Sequence, residues 1–185
     1  QGSVAVKVSN PAPCAGGVCA SNSATLTVTA PTPAPTLSSI SPSSAIAGTA
    51  AFTLTATGTN FTANSVVGVN GSPRVTTVVS ATQLTAAILA SDIASVGAPT
   101  ITVFTPAPGG GTSGARTLTV LGPRLTVNTT STAPGGTVTA TLTNSPGGST
   151  DRLTLALVGA SDTSYLQWVY VGAGVTTRTW TVTMP

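Results

Sequence analysis

Apolar and polar residues alternate along several short stretches of this chain, and threonine takes many of the polar places. Phe52, Leu54 and Ala56 interleave with Thr53, Thr55 and Thr57, and Val138, Ala140 and Leu142 interleave with Thr137, Thr139, Thr141 and Thr143. A period of two sends alternate residues to opposite faces of a strand, whereas a helix repeats every 3.6 residues. Threonine is β-branched and suits a pleated, half-buried surface. Similar runs start at Val4, Leu84, Ile101, Leu153, Tyr165 and Thr177. Turn formers separate them: Asn70-Gly71, Pro134-Gly135-Gly136 and Pro146-Gly147-Gly148. Short strands with one dry face, spaced by such turns, predict an all-β chain of sandwich type.

Charge narrows the function. Only 5% of the 185 residues are charged, against roughly 25% in an ordinary soluble domain. The six cations, Lys7, Arg74, Arg116, Arg124, Arg152 and Arg178, are scattered. A phosphate-binding surface gathers several on one face, so no nucleic-acid partner is expected. The acids are Asp92, Asp151 and Asp162, each in a separate turn, and the chain has neither His nor Glu. Paired-carboxylate chemistry lacks its second acid and a nucleophilic triad lacks its base. The chain is therefore expected not to be an enzyme, with no catalytic residue, cofactor or metal. Asp151 and Asp162 flank one strand, but calcium wants six or more oxygens and usually more carboxylates. No apolar run approaches the roughly 18 residues that span a bilayer as a helix. A surface with so few charges leaves edge strands without their usual guard. Such a protein either assembles with copies of itself or is shielded by sugars.

The chain also repeats itself. Val4 to Pro13 reads like Pro99 to Pro108, and Thr25-Leu26-Thr27-Val28 recurs as Thr117-Leu118-Thr119-Val120. Four segments are expected: a terminal hairpin over 1–30, a stiff proline-rich linker over 31–35, a complete module over 36–121, and a second module over 122–185 that lacks its last strands. Cys14 and Cys19 are the only cysteines and enclose Gly16-Gly17. They predict a local disulfide and an oxidising, extracytoplasmic setting. A metal site would want His or further Cys, and a redox motif would place two residues between the cysteines.

Three further features are candidate sites. Tyr165, Trp168 and Tyr170 lie on one aromatic strand. Alternation puts Trp168 and Tyr170 on one face with Leu166, and Tyr165 on the other. A strand tryptophan in a sandwich is expected in the core, and the alternative is a carbohydrate-binding platform. Asn60, Asn70 and Asn128 each open an Asn-x-Ser/Thr pattern, the acceptor for N-linked sugar.

The order Ser41-Pro42, Gly48, Phe52-Thr53-Leu54, Gly58-Thr59-Asn60-Phe61, Asn70-Gly71 and Pro106-Ala107-Pro108-Gly109-Gly110 resembles the IPT/TIG family. The resemblance covers residues 36–120, with a partial copy at 4–28 whose loop is lengthened by Cys14 to Cys19. It implies an immunoglobulin-like β-sandwich, no catalytic residues, and a setting in secreted or cell-surface bacterial proteins built of tandem modules. Residues 122–185 resemble bacterial immunoglobulin-like or fibronectin-type modules more loosely. The expected function is structural: assembly or adhesion at a cell exterior, including a filament that lengthens head to tail by β-strand complementation. A carbohydrate-binding module and an accessory domain of a larger secreted enzyme are the alternatives.

Overall fold

The computed structural model describes residues 2–6, 24–28, 30–161 and 163–185. Eighteen strands occupy them, with one 3-10 turn at Ala90–Ile93. The fold is all-β and immunoglobulin-like.

The largest unit starts at β3 (Thr36–Ser41) and β4 (Ser44–Ile46). It continues through β5 (Phe52–Thr59), β6 (Val66–Val69), β7 (Ser72–Pro73), β8 (Thr76–Ser80) and β9 (Gln83–Ile88). It closes with β10 (Thr100–Thr105), β11 (Gly111–Thr112), β12 (Arg116–Thr117) and β13 (Thr119–Leu121). One sheet runs β3-β5-β9-β8; the other runs β11-β10-β6-β7, with β12 also on β10, and β13 pairs in parallel with β4. Each strand sends its apolar set inward, as the alternation requires. Leu54, Ala56, Leu84, Ala86 and Ile88 meet Val67, Val69, Ile101 and Val103, with Leu118 and Val120 beside them. Phe61 and Ile93 enter the same core from a loop and from the 3-10 turn. Full burial of such aliphatic side chains stabilises by about 1.5–3 kcal/mol apiece before chain entropy is subtracted.

Gly58 and Asn60 are turn formers whose chemistry predicts a break in the strand, but β5 runs on through Gly58 to Thr59. Gly58 is needed for space, because a Cβ there would stand 1.8 Å from the Thr36 carbonyl oxygen and 2.7 Å from the Phe61 ring. The left-handed turn residue is Asn60, at φ 60°. The Asn70-Gly71 hairpin forms, with φ of 48° and 81°, but the apolar run Val75–Val79, which the turn signal predicts as its return strand, does not pair with β6. Only Ser72–Pro73 pairs back onto β6. One further bond, from the Arg74 N–H to the Val67 carbonyl at 2.9 Å, ends that ladder, and the chain then crosses to β9 as β8 and leaves Val75 82% exposed. Residues 31–35 lie against the same unit. Thr32 exchanges backbone hydrogen bonds with Pro108 and Gly110, and Asn60 Nδ2 donates to the Ala34 carbonyl.

The remaining strands are β14 (Arg124–Val127), β15 (Thr137–Thr143), β16 (Arg152–Leu155), β17 (Gln167–Tyr170) and β18 (Arg178–Thr183). They form a three-stranded sheet, β14-β15-β18, and a hairpin, β16-β17. At the other end β1 (Gly2–Val6) and β2 (Ala24–Val28) pair only with each other among the described residues. Their register sets Ala5 opposite Thr25 and Val6 opposite Ala24. The repeated segments obey the same register, with Thr100 opposite Thr117 and Ile101 opposite Arg116. The sequence repeat is thus a structural repeat of one hairpin. Cys14 and Cys19 lie outside the described residues, and with them the expected disulfide.

Candidate functional site

The β16-β17 hairpin has two unlike faces. Its register sets Arg152 opposite Tyr170, Leu153 opposite Val169 and Thr154 opposite Trp168. Leu153 is buried and Val169 half-buried, while Arg152, Thr154, Trp168 and Tyr170 are exposed. Trp168 is 44% exposed, so the expectation of a core tryptophan is corrected. The physical reason is phase: Leu153 and Val169 hold the inner face, and Trp168 follows the opposite parity. Tyr165 is not across the sheet either, because it precedes β17 and alternation does not govern it. Its ring meets Trp168 edge to face at 6.4 Å and 78°, and Trp168 meets Tyr170 at 4.7 Å and 80°. Arg152 locks the end of this row. Its guanidinium lies 5.2 Å from the Tyr165 ring centroid and donates to the Tyr165 hydroxyl at 3.0 Å.

The sheet opposite this hairpin is wider than the hairpin that covers it. Leu125 faces Leu142, Val127 faces Ala140, and Val138 and Ala140 face Val182 and Trp180 across the other ladder. These residues therefore share one face. The Gln167 side chain donates to the Thr183 carbonyl, which holds β17 over β18. On the β14 side the same face is bare: Leu125 is 57% and Val127 46% exposed. A groove of about 610 Å³ runs beside Val127, Val138 and Met184. Among the described residues, the buried apolar ones of this half are Leu153, Val171 and Val182, against fourteen in the larger unit.

Residues 35–98, within the larger unit and its lead-in, match the model of the IPT/TIG domain family. The rest of the chain lies outside that match. No curated protein matches the chain in sequence. Among solved structures the chain is similar to the human OSCAR ligand-binding domain, at 17% identity, with 83% of this chain and 84% of that one covered and a TM-score of 0.34.

Within the matched residues sits an ion pair that alternation and turn signals do not reveal. Arg74 donates from both Nε and Nη2 to the Asp92 carboxylate, which also accepts the Leu89 N–H. The bidentate Arg74 contact holds the Asp92 carboxyl below the usual carboxylate range, against the opposing effect of burial, with Leu89 adding to it. Asp92 is thus the turn residue expected, and an ion-pair member besides. The only sequence signal was one cation and one acid 18 positions apart. Asp151 caps the next turn, accepting from Ser145 Oγ and the Gly148 N–H. Asp162 lies outside the described residues, and so does any calcium site that uses it. The three sequon asparagines are exposed and differ in their bonds. Asn60 spends its Nδ2 on Ala34, whereas Asn70 and Asn128 accept at Oδ1, from Thr100 and Thr139.

Proposed function

We propose that this protein is a non-catalytic structural module of a cell exterior that joins further copies of itself by β-strand complementation. The observation that carries the reading is the bare stripe of Leu125 and Val127 on the inner face of β14-β15-β18. An apolar inner face left open beside a two-stranded cover is an acceptor for more strands. The β1-β2 hairpin is the donor. Its counterpart in the larger unit buries Ile101, Val103, Leu118 and Val120 almost completely. The repeated positions Val6, Val8, Leu26 and Val28 present the same apolar pattern, and β1-β2 has no second sheet among the described residues. Five strands plus a donated hairpin reach the roughly seven of an immunoglobulin sandwich. Strand addition satisfies backbone edges and fills side-chain pockets together. A donor hairpin and an acceptor face on different parts of the surface make a heterologous contact, which gives a filament unless the rotation closes into a ring. IPT/TIG domains occur in extracellular and cell-surface proteins, and no helix among the described residues is long and apolar enough to cross a membrane.

Light scattering after size exclusion, with electron microscopy of the same material, tests this. Mass should grow with concentration in the full chain. Leu125→Lys should return it to the mass of one chain while its circular dichroism stays unchanged. A full chain that stays monomeric at high concentration overturns the reading.

A further inference from the structure

We infer that the outer face of β16-β17 is a binding site for an acidic carbohydrate, a glycan chain that carries uronic-acid carboxylates. The inference stands apart from self-assembly, because it uses the face opposite the bare stripe.

Three observations meet at this face. First, Trp168 and Tyr170 expose about half their surface on a hairpin with no packing need for them there. Tyr165, Trp168 and Tyr170 form a continuous row through edge-to-face contacts. Such contacts fix the rings in place, so a ligand pays little to order them. Second, Arg152 stands at the end of the row and pairs with no carboxylate among the described residues. The Arg74–Asp92 bridge is the only salt bridge among the described residues. The neighbouring Asp151 is turned to Ser145 and Gly148 instead. The guanidinium is pre-aimed by its bond to Tyr165 and keeps further N–H donors for a planar carboxylate. Third, the described surroundings are rich in hydroxyls. Thr154 lies opposite Trp168, and a hollow of about 320 Å³ beside Tyr165 is lined by Thr163, Ser164, Leu157 and Leu166.

These features fit one ligand chemistry. The C–H face of a pyranose packs against an aromatic ring, its hydroxyls bond to threonine and tyrosine, and its carboxylate pairs with arginine. A polyphosphate or nucleic acid would demand several cations, and this face has one. A neutral glycan would gain nothing from Arg152.

Titration of the full-length chain with an oligogalacturonide and with a neutral malto-oligosaccharide of equal length tests the inference. The readout is tryptophan fluorescence in a Trp180→Phe background, so that Trp168 reports alone. The acidic sugar should quench and bind at least tenfold more tightly than the neutral one. Arg152→Gln should erase that preference. Trp168→Ala, followed by calorimetry, should abolish binding of both. Self-association should be unchanged in Arg152→Gln, so loss of sugar binding and loss of assembly are separate results. No binding of the acidic sugar at millimolar concentration overturns the site. Equal affinity for both sugars, or a preference that survives Arg152→Gln, overturns its acidic specificity.

Discussion

Arg74 and Asp92 show how much one residue pair can carry in a chain with so few charges. Their side chains are only 13% and 7% exposed. Breaking a largely buried pair leaves an uncompensated charge. Because the folded-state carboxyl titrates below its unfolded value, the pair's stabilisation is present above the ordinary carboxylate pKa of about 4. It is lost as pH falls through the lower folded value. Asp92→Asn should therefore cost on the order of 2 kcal/mol at pH 7, and the cost should shrink as the pH falls through the lowered folded-state value. Urea unfolding followed by amide exchange in residues 35–98 across an acid pH series would measure the difference. Gly58 makes the second case, through space rather than charge. Ala at Gly58 would drive its Cβ into the Thr36 carbonyl, and the strands cannot separate without losing their ladder. Gly58→Ala should destabilise by roughly 3 kcal/mol, whereas Gly71→Ala, with open space around it, should show only the cost of its positive φ, about 1 kcal/mol. Chemical denaturation of both variants would separate the two causes.

At the scale of elements, alternation revealed most of the strands and little of their partnership. Leu54, Ala56, Leu84, Ile88, Ile101 and Val103 were readable as core because each strand has one dry face, and the structure buries all of them. The Asn70-Gly71 turn and the inward Phe61 were readable from local chemistry. The destination of β8 was not. The last backbone bond to β6 is made by the Arg74 N–H, and nothing local says that the next strand joins β9 in the other sheet. Trp168 departs from the buried strand tryptophan of other sandwiches because parity decides its face: Leu153 and Val169 occupy the inner one. The Tyr165–Trp168 contact was illegible because Tyr165 lies outside the strand that alternation describes. The inner face of β14 was legible as apolar, but its exposure depends on the width of the opposite sheet, a tertiary fact.

For the whole molecule, the two halves have unequal cores. Fourteen buried apolar residues hold the larger unit and three hold residues 122–185. Stability follows apolar burial, so the second half should unfold first. If donated strands complete it, its stability must also rise with protein concentration, since a partner that binds only the folded form stabilises by mass action. The larger unit gains nothing from assembly and should unfold at the same point at every concentration. Composition makes this separable. Both tryptophans, Trp168 and Trp180, and both tyrosines, Tyr165 and Tyr170, lie in residues 122–185. Aromatic fluorescence therefore reports that half, while far-ultraviolet circular dichroism reports both. Thermal scans over a hundredfold range of concentration should show a fluorescence transition that moves upward, and a second, fluorescence-silent transition in dichroism that stays fixed. Each 1 kcal/mol gained by association should raise the first midpoint by about 4–8 °C for a unit of this size. A single transition seen equally by both signals, fixed at every concentration, would mean that the bare face of β14 is not completed by another copy.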